Sequence, residues 1–295
     1  MAVLKRGSSG PEVEDLQRQL SRLGYAPGPV DGKFGSGTRS AVIAFQESRG
    51  LTADGVVGKN TRAELKKALA EFAGERRGDG RIPAEDVMVN RSLRLSPNQY
   101  YQARHTKDLI VLHHTAGGSV GSTFSWWQRT PQHIATAFIV ERDGMIYEVF
   151  DPREWAYHLG LKGTRGAVDR RSIGIEIASE GGLKEAEGQL YKFDRISNGT
   201  RFTGEAYDHG RAWRGYRHFA AYTPEQISSV VVLTNHLLEQ FDIARQTPKN
   251  HLDFDQNLLG FRGVVGHHHL RVDKSDLHPG FDWQTLVREC SLGKV

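Results

Sequence analysis

Two short apolar runs that each end in a histidine constrain the fold of this chain more than any other feature. Residues 109–112 (LIVL) lead directly into His113, and residues 264–266 (VVG) lead directly into His267. A continuous apolar run is typical of a strand that is buried on both faces of a sheet. Because open α/β sheets form their sites at the carboxyl ends of such strands, we expect both histidines at a functional edge.

The neighbouring elements predict an α/β domain with a mixed central sheet flanked by helices. Residues 137–150 (AFIVERDGMIYEVF) read as two strands joined at an Asp-Gly turn, which is a strong hairpin signal. Residues 172–178 (SIGIEIA) read as a third buried strand. A long helix is expected to begin at residues 223–226 (TPEQ), which form a capping box with proline in the first turn.

Polar groups at the ends of these strands indicate metal chemistry. A single histidine is more often a packed structural residue, but two at equivalent strand ends favour ligation of a metal. An acidic loop, residues 273–276 (DKSD), follows His267 and offers a third ligand. Zinc hydrolases hold their metal with three protein ligands and leave one position for water. Glu176 interrupts an apolar strand, where a carboxylate is costly to bury unless it is paired or functional.

The first part of the chain contains an internal repeat. Residues 31–38 (DGKFGSGT) recur 23 positions later as residues 54–61 (DGVVGKNT). Each copy is a glycine turn that ends in a threonine able to cap the next helix. With the apolar periodicity on either side, the repeat predicts a small three-helix domain over residues 1–73. Residues 74–95 lose this periodicity and are expected to be a linker, so that residues 96–295 form the second domain.

Composition and charge exclude several classes of protein. The chain is 38% hydrophobic and 25% charged, as expected for a globular protein, and its formal net charge is +4. It has neither an apolar run that could span a bilayer nor a basic block typical of nucleic-acid binding. Neither a membrane nor a nucleic acid is therefore an expected partner. The single cysteine, Cys290, excludes an internal disulfide framework. The N-terminus lacks an apolar core behind its basic residues, so we expect synthesis in the cytoplasm without a secretory signal.

Residues 30–46 (VDGKFGSGTRSAVIAFQ) and the second copy of the repeat resemble the peptidoglycan-binding module of many cell-wall hydrolases. The resemblance covers roughly residues 4–70. It implies a three-helix bundle that holds glycan or stem peptide without cleaving it. The turns at residues 31–34 and 54–57 are the candidates for the wall of its groove.

Five motifs of the second domain resemble, in order and spacing, those of the N-acetylmuramoyl-L-alanine amidases. They read IVLHHTAG, RDGMIYEVF, WAYHLG, SIGIEIAS and VVGHHHLRVDKSD, and they cover roughly residues 98–287. That family shares its fold with the peptidoglycan-recognition proteins. The resemblance implies a zinc hydrolase that cleaves the amide between the muramyl lactyl group and L-alanine. It assigns three zinc ligands (His113, His267 and Asp276), two catalytic residues (Glu176 and Lys274) and three substrate-binding residues (His158, Trp155 and His114).

The chain departs from the family pattern around the third ligand. The family loop usually ends Lys-x-Asp-Pro-Gly-Pro, whereas residues 274–280 read KSDLHPG. Counting back from the shared residues 281–283 (FDW) places Asp276 in register, but His278 is a rival. The triplet at residues 267–269 (HHH) also offers more than one histidine, and the Val-Val-Gly-His spacing favours the first.

Two further departures concern the rest of the site. Some relatives carry an active-site tyrosine near the position of Thr136, so a tyrosine role is not implied here and more weight falls on Glu176. Residues 183–222 are a long insertion relative to the minimal domain. Their aromatic and basic residues could line the substrate groove or could form a solvated loop packed by its own aromatic side chains.

The resemblance implies an enzyme that acts on the bacterial cell wall, with peptidoglycan as its partner and Zn²⁺ as its cofactor, and we expect the protein to be a monomer. A wall-binding module without a secretory signal is typical of a phage endolysin released through holin lesions, and a bacterial autolytic or recycling amidase is the alternative. Two other functions stay open, a non-catalytic recognition protein on the same fold and a zinc peptidase acting within the stem peptide. The complete ligand set and Glu176 argue against the first, and the SIGIE and IVLHH motifs argue against the second.

Overall fold

The computed structural model describes residues 3–23, 25, 27, 28, 31–75, 87, 89–192 and 200–295. The chain divides into two compact units, Met1–Ser92 and Leu93–Val295. The expected linker at residues 74–95 includes residues 76–86 and 88, which lie outside the described residues. Within the described ranges, no helix is long and apolar enough to cross a membrane.

The first unit is built from three helices, as the sequence predicts. They are α1 (Pro11–Arg22), α2 (Ser36–Ser48) and α3 (Lys59–Glu75), and a two-residue strand, β1 (Val89–Asn90), follows them. Their apolar faces meet in one core, because each helix carries its apolar residues on one side. The buried members of this core include Val13, Leu16, Leu20, Phe34, Val42, Phe45, Val57 and Leu65.

A buried glutamine holds the first copy of the repeat. Gln17, on α1, is only 1% exposed. Its side-chain nitrogen lies 3.1 Å from Asp31 Oδ1 and 3.1 Å from Thr38 Oγ1, and its side-chain oxygen accepts from the backbone N–H of Gly32 at 3.0 Å. The expected capping role of Thr38 is wrong, because the N-cap of α2 is Gly35, which makes no side-chain capping bond.

The second copy of the repeat is held in the same way. Gln46, on α2, places its side-chain nitrogen 2.9 Å from Asp54 Oδ1 and 3.2 Å from Thr61 Oγ1. Its side-chain oxygen accepts from the backbone N–H of Gly55 at 2.9 Å. Both glutamines therefore use donor and acceptor together, as a buried amide must. The repeated unit is a glutamine on one helix together with the Asp-Gly turn and threonine that follow it.

Replacement of Gln46 by leucine is expected to destabilise the first unit by about 1–3 kcal/mol, because it leaves buried groups of the second turn without partners. Hydrogen exchange of the backbone amides at residues 54–61 measures the loss as faster exchange. Leucine at Gln19, which bonds Asp15 on its own helix, is the matched control and should leave these amides unchanged. Equal protection in the two variants would contradict the role of the buried glutamine.

The second unit contains a mixed central sheet, as predicted. Its strands include β2 (Leu109–His114), β3 (Phe138–Val140), β4 (Ile146–Glu148), β5 (Ser172–Ile177) and β11 (Gly263–Gly266). They lie in the order β4-β3-β5-β2-β11. β11, β2, β5 and β3 run parallel, whereas β4 pairs antiparallel with β3 across the predicted hairpin. The two strands that end in histidine are therefore neighbours.

The α-helices in the described part of this unit are α4 (Val120–Trp127), α5 (Ala167–Arg171), α6 (Pro224–Gln240), α7 (His267–Leu270) and α8 (Trp283–Glu289). The predicted capping box begins α6: Thr223 Oγ1 accepts from the backbone N–H of Gln226 at 3.1 Å, and the Gln226 side chain accepts from the backbone N–H of Thr223 at 3.0 Å. The helix α7 starts directly after β11, so His267 is its first residue.

The described part of the insertion, residues 183–192 and 200–222, contains a second sheet, so the solvated-loop interpretation is wrong. Its strands are β6 (Gly182–Ala186), β7 (Gln189–Lys192), β8 (Ala206–Trp213) and β9 (Tyr216–Ala220), in the order β7-β6-β9-β8. The turn between β8 and β9 has positive φ at Arg214 and Gly215, as in hairpin turns that match the strand twist. A further pair, β10 (Gln246–Thr247) and β12 (Gly293–Lys294), runs parallel.

Candidate metal centre and active site

Three neighbouring strand ends bring the predicted residues into one row. β11 and β2 pair with Gly266 opposite Leu112, and β2 and β5 pair with His113 opposite Glu176. Because His267 directly follows Gly266, it comes next to His113 at the same edge. The row is thus His267, His113 and Glu176, at the carboxyl ends of three parallel strands, where α/β sheets build their sites.

Asp276 joins the two histidines from the loop that follows α7. Its Oδ2 atom lies 3.0 Å from His113 Nδ1 and 2.9 Å from His267 Nδ1. The possible ligand atoms of the three residues all lie within 4.8 Å of one another. Both histidines are buried, and the Asp276 side chain is 13% exposed. Two imidazole nitrogens and one carboxylate oxygen in this arrangement match a zinc site with one open position.

The hydrogen bonds of the two histidines test whether a cation fits this cluster. His267 Nε2 lies 2.9 Å from the carbonyl oxygen of Leu159, which can only accept, so Nε2 carries a proton, and a neutral ring then presents a lone pair at Nδ1. That lone pair faces a carboxylate oxygen, an unfavourable contact unless a second proton or a cation lies beside them. Burial and the neighbouring His267 lower the pKa of His113 to about 4, so its ring prefers the neutral form, in which one of its two nitrogens is free to bind a cation. The donor set therefore fits a metal ion, with backbone support for one ligand as metal sites require.

The rival ligand, His278, is occupied elsewhere. Its Nε2 donates to the carbonyl oxygen of Ala220 at 3.1 Å, and its Nδ1 accepts from the backbone N–H of Gly280 at 3.1 Å. Its ring is stacked on Phe219 and on Tyr222, with ring centroids 4.8 and 4.4 Å apart. Both ring nitrogens of His278 thus serve to pack the insertion against the loop that carries Asp276.

The side chains of the other two histidines in the triplet also bond groups other than the Asp276 carboxylate. His268 Nε2 donates to the carbonyl oxygen of His251 at 2.9 Å, and His269 Nδ1 accepts from the backbone N–H of Gly266 at 2.9 Å. Among the described residues, the cluster that could hold a metal ion contains His267 but neither His268 nor His269.

Glu176 lines the same cavity as the His113, His267 and Asp276 cluster, and its carboxyl group has a raised pKa. Its Oε2 is buried and has no hydrogen-bond partner within the described part of the chain. Burial, and then the negative charge of Asp276, raise the pKa of this carboxyl well above its usual range, while Lys274 opposes the shift. A carboxyl group with a raised pKa that lines a cavity is typical of general acid–base catalysis.

One cavity of about 530 Å³ contains these groups. Its lining includes His113, His114, His158, Glu176, His267, Lys274 and Asp276, together with Thr115, Trp126, Trp127, Asp273 and Ser275. Seven of the eight predicted site residues therefore share a single space. No described residue of the insertion at 183–222 lines this cavity, so the insertion supports the site from outside.

The eighth predicted residue, Trp155, lies apart from the cavity. It is 7% exposed and stacks on Tyr101 with ring centroids 4.1 Å apart, and it lines a second, smaller cavity together with His158. His158 lies between the two cavities, with its Nδ1 atom 2.9 Å from His113 Nε2. Burial and the neighbouring His113 hold the pKa of His158 well below its ordinary value, so its ring is neutral.

Two residues of the site escaped the sequence analysis. Tyr222, just after β9, places its hydroxyl 3.1 Å from His114 Nδ1, and burial raises the pKa of that hydroxyl well above its ordinary value. Trp126, on α4, lines the cavity and is 48% exposed. The Trp-Trp pair at residues 126–127 was a visible signal, whereas Tyr222 belongs to no motif and reaches the site only through the fold of the insertion.

Two family models match this chain. One describes a putative peptidoglycan binding domain and matches residues 9–65. The other describes N-acetylmuramoyl-L-alanine amidase and matches residues 103–280, which is more than half of the chain. These are the two families that the sequence motifs predict.

Individual relatives match shorter parts of the chain. A spore cortex-lytic enzyme of Bacillus cereus is 47% identical over 66 residues, which are 22% of this chain and 26% of that protein. A probable N-acetylmuramoyl-L-alanine amidase of Bacillus licheniformis is 37% identical over 75 residues, 25% of this chain and 21% of that protein. The chain thus spans about a quarter of the length of these curated relatives. The solved N-acetylmuramoyl-L-alanine amidase LysC from Clostridium intestinale is 13% identical, covers 68% of this chain and 99% of its own, and has a TM-score of 0.38.

The amidase match spans all the residues that form the cavity described above, from His113 to Asp276. The peptidoglycan-binding match lies within the three-helix unit and contains both copies of the repeat. The chain therefore belongs to the N-acetylmuramoyl-L-alanine amidase family, with a peptidoglycan-binding domain ahead of its amidase domain.

Proposed function

We propose that this chain is a zinc-dependent N-acetylmuramoyl-L-alanine amidase, which hydrolyses the amide between the muramyl lactyl group and L-alanine of peptidoglycan. The observation that carries the proposal is the convergence of His113 Nδ1 and His267 Nδ1 on Asp276 Oδ2, beside Glu176. His113, His267 and Asp276 would hold the zinc ion. When bound, zinc supplies Lewis acidity and lowers the pKa of a water molecule from 15.7 toward ~7.

Glu176 is the proposed general base. It would take a proton from the attacking water as the new C–O bond forms, and deliver it to the nitrogen of L-alanine as the C–N bond breaks. Its position opposite His113 in the β2–β5 register holds the carboxyl beside the metal ligands. Its raised pKa makes the ionised carboxylate a stronger base toward the attacking water, which is the direction of shift that general acid–base catalysis uses.

Lys274 is the proposed oxyanion partner. It lies two residues before Asp276 and lines the cavity. Negative charge develops on the carbonyl oxygen during the reaction. A positive group that is already in place stabilises this charge without the cost of reorganising solvent. An ammonium on the loop that carries Asp276 would supply such a group within the cavity that contains Glu176.

Substrate contacts divide among the remaining predicted residues. We assign His114 to the substrate, because it lines the cavity next to His113 and is oriented by Tyr222. His158 and Trp155 would shape the wall of the cavity, since both ring nitrogens of His158 have protein partners and Trp155 is stacked and buried.

The first unit would hold glycan or stem peptide, with the turns at residues 31–34 and 54–57 as the proposed groove wall. The carboxylates of Asp31 and Asp54 bond the buried glutamines Gln17 and Gln46. These turns would therefore contact the wall polymer through backbone groups and through Lys33 or Val56.

We propose lysis of a bacterial host, in the manner of a phage endolysin that holins release, as the biological role. The combination of a wall-binding domain with an amidase domain supports it. A bacterial autolytic role is the second candidate, because one relative is a spore cortex-lytic enzyme of Bacillus cereus.

Digestion of purified cell wall tests the reaction. An amidase releases new L-alanine amino termini without new reducing sugars. New amino termini at other residues of the stem peptide would instead identify a peptidase. Binding to the wall without any release would identify a recognition protein.

Alanine at Asp276 is expected to weaken zinc binding by more than about 100-fold, beyond the loss typical of substitutions outside the ligand shell. Asparagine at His278 should leave the zinc affinity within a few-fold of the wild type, since that ring bonds backbone groups. Titration against a competing chelator measures both dissociation constants, and circular dichroism of the metal-free proteins controls for folding. Loss of zinc only in the His278 variant would reverse the assignment of the third ligand.

Glutamine at Glu176 is expected to retain zinc and to lower kcat by about 10²–10⁴-fold, the usual contribution of a positioned acid–base group. Release of L-alanine termini measures the rate, and metal analysis of the same sample measures zinc. Glutamine at the exposed Glu205 is the matched control and should be fully active. Wild-type activity in the Glu176 variant would remove the base from the mechanism.

A further inference from the structure

His113 can bind a cation through Nδ1 only if that nitrogen carries no proton. Its Nδ1 lies 3.0 Å from Asp276 Oδ2, and its Nε2 lies 2.9 Å from His158 Nδ1. A neutral imidazole has one protonated and one bare nitrogen, so the proton must be on one side or the other. Both partners of His113 could in principle accept, and the choice therefore depends on which nitrogen of His158 is protonated.

Ser172, the first residue of β5, fixes the protonation of His158. Its Oγ donates to the backbone carbonyl of Asp169 at 3.2 Å and lies 2.8 Å from His158 Nε2. A hydroxyl has one proton, and the carbonyl of Asp169 can only accept, so a serine that donates to Asp169 has no proton left for His158. In this arrangement the serine oxygen accepts from His158 Nε2–H.

The direction of this bond sets the next one. With its proton on Nε2, the neutral ring of His158 presents a lone pair at Nδ1, and that lone pair must accept from His113 Nε2–H. His113 Nδ1 is then bare and points at Asp276. One backbone carbonyl thus determines, through a serine and a histidine, which nitrogen of a proposed metal ligand is free.

The chain of bonds is held rigidly at its far end. Asp169 is 2% exposed, and its Oδ1 accepts from the backbone N–H groups of His158 and Leu159 at 2.9 and 3.0 Å. Gly174, on β5, leaves room for the ring, because a Cβ there would lie 3.1 Å from His158 Nδ1 and 2.6 Å from a methyl group of Thr136. The backbone and the imidazole of His158 are thus located independently of any metal.

We propose that Ser172 and His158 are positioning residues that hold His113 in the tautomer with its proton on Nε2, so that Nδ1 is ready to bind zinc. The proposal rests on the zinc site of the proposed function. It goes further in assigning a role to two residues that would touch neither metal nor substrate through the atoms concerned. Residues that hydrogen-bond the far nitrogen of a metal-binding histidine orient its ring and fix its tautomer.

Alanine at Ser172 removes the acceptor for His158 Nε2–H and is expected to weaken zinc binding by about 10–100-fold. The dissociation constant is measured by chelator competition on the full chain. Alanine at Ser229 is the matched control, because this serine on α6 is equally buried and donates to the carbonyl oxygen of Gly144 at 2.6 Å, away from the cluster. It should leave zinc affinity unchanged.

Substitutions of His158 separate tautomer control from simple packing. Asparagine can place its carbonyl oxygen near the former Nδ1 and accept from His113 Nε2–H, so zinc affinity should stay within a few-fold of the wild type. Leucine fills similar space without an acceptor and should weaken zinc binding by about 10–100-fold. If both variants lose zinc equally, His158 contributes volume only and the proposal fails.

A direct readout uses no variant and no metal. ¹⁵N-detected NMR of the histidine rings in the metal-free wild type should show His113 and His158 both protonated at Nε2. A proton on His113 Nδ1 would overturn the proposal. Zinc binding that is tight in the wild type and unchanged by alanine at Ser172 would overturn it while leaving the zinc site intact. A wild type that binds no zinc would instead refute the proposed function, and the NMR assignment would still decide the direction of the bonds.

Discussion

The site depends on the parallel register of β11, β2 and β5. Leu112 opposite Gly266 and His113 opposite Glu176 align three strand ends, so that three polar side chains emerge side by side. The apolar residues behind them, Ile110 and Val111, are fully buried and make this register costly to change. A shift by one residue would turn each polar group to the other face of the sheet. The strands therefore position the two histidines and the glutamate before any loop is considered.

The third member of the cluster needs a different support, because Asp276 belongs to a loop. The insertion sheet supplies part of it. Arg214, at the turn between β8 and β9, donates to the carbonyl oxygens of His268 and Arg271 at 3.4 and 3.3 Å, and to that of Val272. These carbonyls lie at the end of α7 and at the start of the loop that carries Asp276. A positive charge is favourable at this position, because the last carbonyls of a helix lack hydrogen-bond partners within the helix. An element outside the cavity thus holds the segment that completes the cluster.

Local patterns explain what the sequence could predict. The apolar strands, the Asp-Gly hairpin and the capping box of α6 each depend on residues close together in the chain, and each is present. The insertion sheet could not be predicted in this way, since β8 has no buried residue and alternates little, so its pairing with β9 leaves a weak hydrophobic signal. The same holds for Gln17 and Tyr222, whose partners lie 14 and 108 residues away. Side-chain hydrogen bonds over such separations follow from the fold and not from a spacing.

Burial links the metal cluster to the proposed base. The surroundings that keep His113 neutral also raise the pKa of Glu176, because both charged forms lose contact with water. Asp276 adds to the second shift, since two carboxylates at one cavity disfavour each other's ionisation. A cation held by Asp276 would offset that repulsion in a medium where charges are weakly screened. Loading of the cluster and ionisation of Glu176 would then be coupled: a bound cation would favour the ionised carboxylate, and its absence would favour the protonated form.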